Sequence, residues 1–281
     1  MFERLSNSWE LVKASAAVLK ADRELLLFPV VSAVLSVLVA LTFAVPAFLS
    51  GFFAGQDGEL SVSAQGYLLA FLFYVVQYFV IFFCNTALVG AAMIRLRGGD
   101  PTVGDGFRIA ASRTRDILGY AIISATVGMV LRAISERSGL LGRLVVGAVG
   151  LAWNLATYLV VPVLVVEDVG PIEAVRQSAG YLKKTWGEQI AGNVGMGLVF
   201  GLISLVPIAL GALVFGAAVE LQSTALAILA VAGVAVALVA IGLVSSALGG
   251  VYAAAVYRYA AEGETGTFFT PALVKNAFRR K

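Results

Sequence analysis

Apolar residues fill six long stretches of the chain, and charged and turn-forming residues collect between them. A hydrocarbon layer about 30 Å thick needs about 20 apolar residues in a helix to cross it. That length predicts spans at roughly 25–49, 65–94, 117–134, 144–166, 189–219 and 225–257. The expected fold class is all-α, a polytopic membrane bundle of about six helices. The loop joining the third and fourth spans is short, with Arg132 and Arg143 at its edges, so a re-entrant pair is the competing reading there. The loop over 51–64 is longer, and its only charges are Asp57 and Glu59.

Between the spans the pattern changes to helical amphipathicity. Trp9, Val12, Ala16 and Leu19 recur at helical spacing opposite Glu10, Lys13 and Lys20, which predicts an interfacial helix. Gly98–Thr102 reads as a turn, and Thr102 to Asp105 resembles a capping box leading into Phe107, Ile109 and Ala110. Gly170-Pro171-Ile172-Glu173 opens a third such helix, with Pro171 at its first position and a stripe of Ile172, Val175, Ala179 and Leu182 beside Arg176 and Lys183. Two explanations stand. Either a unit of amphipathic helix plus hairpin is repeated, with Pro271–Arg280 as an unpaired copy, or any bundle of this kind needs interfacial helices at one surface. The expected division is a cytoplasmic amphipathic helix over 1–24, a six-span domain over 25–257 and a cytoplasmic tail over 258–281.

Composition fixes the class: 60% hydrophobic residues, 13% charged ones and a mean hydropathy of +0.93 belong to an integral membrane protein. Charge then orients it. With the amino terminus inside, interior segments hold 17 of the 20 basic residues, and the exterior ones hold Arg132, Arg137 and Arg143. That asymmetry predicts that both termini lie on the cytoplasmic side of the membrane. Eight charged residues among the first 24 argue against a cleavable signal. A net charge of +3 is too small to point to nucleic acid; an anionic leaflet accounts for the excess. The expected lipid contacts are Arg108, Arg113, Arg115, Arg176, Lys183 and Lys184.

Candidate chemistry is sparse. Ionisable groups inside the spans usually mark pathways, yet Glu220 and Arg132 fall at span ends where they reach water. Among neutral polar residues, Asn85, Asn154, Thr157 and Asn193 are the candidates for a small polar cavity, with interhelical hydrogen bonding as the plainer reading. Tyr67, Phe71, Tyr74, Tyr78, Phe82 and Asn85 form a stripe on the second span. Gly197 and Gly201 have the small-xxx-small spacing that admits close helix packing, within one chain or between copies of a homo-oligomer. The chain has no histidine, one cysteine and no hydrolase, metalloprotease or phosphate-loop motif, so no catalytic residue, cofactor or metal is expected. Asp100 and Asp105 could face a divalent ion at the interface, but turn formation and capping explain both.

Asn7-Ser8-Trp9-Glu10-Leu11-Val12-Lys13, Glu24-Leu25-Leu26-Leu27-Phe28-Pro29, Gly99-Asp100-Pro101-Thr102, Gly170-Pro171-Ile172-Glu173-Ala174 and Thr185-Trp186-Gly187-Glu188 together resemble a prokaryotic family of six-span membrane proteins known only as a domain of unknown function. More distantly, the Gly-x-Pro openings and the Ala174 to Ser178 pattern are similar to the membrane domain of some glycerophosphodiester phosphodiesterases. The phosphodiesterase catalytic domain has no counterpart here, so the resemblance implies no activity and mildly favours a link to lipid. The expected function is a non-catalytic membrane protein that organises lipid or partner proteins at the cytoplasmic face. The alternative is a channel or transporter for lipid or a small uncharged solute.

Overall fold

The computed structural model describes residues 2–49, 64–184, 186–264 and 269, without the side chains of 2–8, 49, 64, 182, 184, 186–196 and 198. The loop over 51–63, the Pro271–Arg280 segment and the side chains of Lys184 and Asn193 therefore lie outside the described residues. The described chain is helical and contains no strand. Its helices are α1 (Phe2–Ala21), α2 (Leu27–Leu49), α3 (Ala64–Leu96), α4 (Val103–Ser112), α5 (Thr114–Arg137), α6 (Leu140–Ala156), α7 (Val160–Val166), α8 (Pro171–Lys184), α9 (Trp186–Glu220) and α10 (Thr224–Tyr257). A 3₁₀ turn over Arg23–Leu26 leads into α2, and a π turn over Arg258–Glu262 follows α10.

Six helical segments are long and apolar enough to cross a membrane: Arg23–Phe48, Gln65–Leu96, Thr114–Arg137, Leu140–Val166, Val199–Glu220 and Thr224–Glu262. The protein is thus a multi-pass membrane protein, and each of these segments overlaps one of the apolar runs read from the sequence. Local signals set the helix ends. Thr102 Oγ1 accepts from the Asp105 amide at 3.2 Å while Asp105 accepts from the Thr102 amide at 3.0 Å, which completes the capping box expected at α4. α3 ends in a Schellman turn: Gly99 donates to the Ile94 carbonyl, Gly98 to the Arg95 carbonyl, and Gly98 sits at φ +86, a conformation that favours glycine.

The fourth span, expected over 144–166 with Pro162 as a point where it can kink, is not one continuous helix. It breaks at Thr157–Leu159, between α6 and α7. Pro162 is the physical cause. It has no amide hydrogen, and its ring would collide with the carbonyl four residues back, at Tyr158, so the helix opens one turn before it.

Contacts divide the chain into two compact units. The first comprises 1–29, 92–100 and 185–281, and pairs α9 with α10 against α1. Gly211 of α9 faces Val234 of α10. A Cβ there would stand 2.0 Å from Val234 Cγ2, so only a bare backbone fits. The second comprises 30–91 and 101–184 and carries α4 to α8 together with most of α2 and α3. In it Phe43 of α2 meets Phe73 of α3 edge-on at 5.5 Å, and Gly119 of α5 admits the ring of Pro171 at the start of α8.

Candidate functional site

The first unit gathers its charges where α3 ends and α10 passes into the π turn. The Arg258 side chain is 6% exposed, and its guanidinium donates to the Leu96 carbonyl at 2.6 Å, to Glu262 at 3.1 Å and to Glu264 at 2.6 Å. Leu96 is the last residue of α3, so Arg258 satisfies a carbonyl that the helix leaves open. Arg97 also reaches Glu262 at 2.6 Å, and Arg95 pairs with Asp100 and with the buried Asp22 at 3.4 Å. A buried guanidinium is tolerable only when its donors are met, and here each arm of the Arg258 fork has an acceptor.

In the second unit, the break in the fourth span is filled from α8. Ser178, wholly buried, accepts from the Leu159 amide at 3.0 Å and donates to the Ala156 carbonyl at 2.6 Å. One hydroxyl thereby satisfies a donor and an acceptor that the break leaves out of the helix ladder, in surroundings where water is scarce. Ala174, one turn earlier on α8, is also fully buried, so the Ala174 to Ser178 pair is the face that α8 turns inward. At the same end of the unit Tyr181 donates to Glu167 at 2.8 Å, and burial together with that carboxylate pushes its phenol up to about 12. Asp105 is held below the usual carboxylate range by its hydrogen bonds from Thr102 and by Arg108 at 2.8 Å. Arg113 pairs with Asp168.

A seam runs up α3 and α5. Tyr74, Tyr78 and Phe82 stack in sequence along α3, and Phe82 stacks on Tyr120 of α5 at 4.4 Å. Tyr120, Ser124, Gly128 and Arg132 follow one another at four-residue spacing on α5, so two i, i+4 rows face each other. Near the far end from α4, the seam opens into a cleft of about 150 Å³ lined by Tyr74, Tyr78, Ala125, Gly128, Met129 and Arg132. Arg132 donates to the Tyr74 hydroxyl at 3.1 Å and to Glu136 at 2.7 Å. The aromatic row on α3 was legible in the sequence, but its union with Arg132 was not, because 58 residues separate Arg132 from Tyr74.

The match to a family model described as a family of unknown function (DUF6159) covers residues 64–268, well over half of the chain. The chain belongs to this family. The DUF6159 match begins at the start of α3 and includes every residue of the cleft, Ser178 and Arg258. It carries no statement about the membrane domain of glycerophosphodiester phosphodiesterases. No curated protein matches the chain.

The polar residues singled out from the sequence are not gathered into one described site in this DUF6159 protein. Asn154 is exposed, Asn85 is half-buried, and Thr157 is buried with its hydroxyl donating to the Trp153 carbonyl at 2.8 Å; none of them lines the cleft. Gly197 and Gly201 are exposed, with open space where a side chain would stand. Among the described glycines of α9, Gly211 is the one that packs against α10. Among the basic residues, Arg108, Arg115, Arg176 and Lys183 are exposed, whereas Arg113 is partly enclosed beside Asp168. Among the described residues no cluster of three or more metal-ligating side chains occurs.

Proposed function

We propose that this protein is a non-catalytic element of the prokaryotic plasma membrane that organises anionic lipid at the cytoplasmic face. The observation that carries the reading is the pair of short amphipathic helices, α4 and α8, at one end of the second unit. They expose Arg108 at 80% and Arg176 at 76%, next to spans whose outer surfaces are apolar. Both arginines have an acidic neighbour at i−3, but pairs this exposed hold their charges weakly and leave most guanidinium donors to the headgroup layer. Exposed Gly197 and Gly201 make α9 the surface on which a second copy would pack. A channel lined by Asn85, Asn154, Thr157 and Asn193 has less support, because Asn154 faces outward and the described cleft contains none of the four.

Replacing Arg108, Arg115, Arg176 and Lys183 together with Gln is expected to reduce the anionic phospholipid that co-purifies with the protein by at least about tenfold, since each base near a charged leaflet contributes about 1 kcal/mol. Lipid mass spectrometry reads the ratio of acidic to zwitterionic lipid, and an unchanged ratio in the folded variant would end this reading. Orientation has its own check, which follows from the 17 to 3 partition of basic residues. In a background with Cys84 replaced, single cysteines are expected to react with an impermeant reagent added outside at position 57 and to remain unlabelled at 100 and 177. Labelling at 100 from outside would invert the topology.

A further inference from the structure

We propose that the cleft between α3 and α5 binds the headgroup of a zwitterionic, ammonium-bearing phospholipid in the leaflet opposite α4 and α8. Depth is the first argument. Arg132 stands five residues before the end of α5, about 8 Å along the axis from the helix terminus, which is headgroup level rather than mid-bilayer. A guanidinium at that depth has five N–H donors. The described bonds occupy Nε, on Glu136, and one Nη1 hydrogen, on Tyr74, so the remaining donors are open to a phosphate.

Charge selects the class of headgroup. Glu136 sits 2.7 Å from Arg132, so a purely anionic group entering the cleft would meet a carboxylate beside its guanidinium. A zwitterion places phosphate on Arg132 and ammonium on Glu136, and it also gains from Tyr78. The Tyr78 hydroxyl lies at the cleft wall beside Gly128 and can accept from the ammonium.

Room is the third argument. Gly128 and Ala125 contribute almost no side chain to the wall, and a Cβ at Gly128 would meet nothing closer than the Tyr78 hydroxyl at 3.6 Å. The resulting cleft, about 150 Å³, is of the size that holds a group like benzene. The acyl chains of a lipid so held would lie along α3 and α5, which expose Leu72 and Val130 to the hydrocarbon. This site uses different side chains and the opposite end of the spans from the cytoplasmic-face reading, so either can fail without the other.

The test is native mass spectrometry of the delipidated full chain, titrated with phosphatidylethanolamine and with phosphatidylglycerol of matched acyl chains. The parent protein is expected to retain one phosphatidylethanolamine under activation that strips phosphatidylglycerol. Arg132→Gln is expected to lower its retention about tenfold, the scale of one charged hydrogen bond. Glu136→Gln should move the preference toward phosphatidylglycerol. Gly128→Leu, which fills the cleft while keeping both charged groups, should abolish the adduct at unchanged helix content, and it carries the test if Arg132→Gln fails to fold. Equal retention of the two lipids by the parent, or undiminished retention by folded Gly128→Leu, overturns the proposal.

Discussion

Arg258→Leu is expected to destabilise the first unit by about 3 kcal/mol or more, the range seen when one partner of a buried charge cluster is removed. The guanidinium meets three acceptors at once: the Leu96 carbonyl, Glu262 and Glu264. Leucine replaces its bulk and none of its donors. Glu262 would keep Arg97 alone, and the terminal carbonyl of α3 would lose its partner. Arg258→Lys should recover less than half of the loss, because an ammonium is a point donor and cannot span three acceptors arranged around a planar fork. For a chain of this size 1 kcal/mol corresponds to about 2–4 °C, so the melting temperature followed by circular dichroism in detergent should fall by about 6–12 °C. A fall of less than about 2 °C would mean that the cluster is immaterial to stability.

The second large effect is expected at Ser178. Ser178→Val keeps the side chain small and removes the hydroxyl, stranding the Leu159 amide and the Ala156 carbonyl in a place closed to water. Each stranded buried group costs about 1–3 kcal/mol, so the pair should cost about 2–6 kcal/mol. A double-mutant cycle with Pro162→Ala separates this cause from simple overpacking. With alanine at 162 the α6–α7 break loses its origin, the two backbone groups can return to a helix ladder, and the penalty of Ser178→Val should shrink by more than 1 kcal/mol or so. Hydrogen exchange at the Leu159 amide gives a direct reading: the exchange should accelerate in Ser178→Val alone. Equal penalties in both backgrounds would show that the hydroxyl does not substitute for the helix ladder.

The roles of these two residues depend on contacts that no local pattern encodes. Ser178 stood out as part of a pattern with Ala174, yet its role depends on meeting carbonyl 156 and amide 159 across a turn, and no periodicity encodes that meeting. Arg258 lay at the boundary between the last span and what reads as a tail, so it counted as one more interior base. Its burial depends on α3 ending beside α10, a contact 162 residues apart in the chain. The same holds for the cleft: Tyr74 and Tyr78 share one helical stripe and Arg132 falls at a span end, but only the facing of α3 and α5 makes one site of them. Conversely, Gly197 and Gly201 had the spacing for close packing, and the fold leaves them in the open while packing α9 on α10 at Gly211.

Sequence by itself determined what depends on neighbours along the chain. The six spans follow from the length of apolar runs against the thickness of a bilayer, the α4 start from a Thr102–Asp105 box that closes over three residues, and the α3 stop from Gly98. Each is a local free energy, settled by residues within a turn or two of one another. Tertiary structure alone decided which face of each apolar helix is buried. Helices this uniformly hydrophobic carry almost no amphipathic signal: α9 and α10 could present nearly any side to lipid or to each other at similar cost. In hydrocarbon the choice falls to steric fit and to the few polar groups that must find partners, such as Gly211 beneath Val234, Ser178 in the broken span and Arg258 under the end of α3.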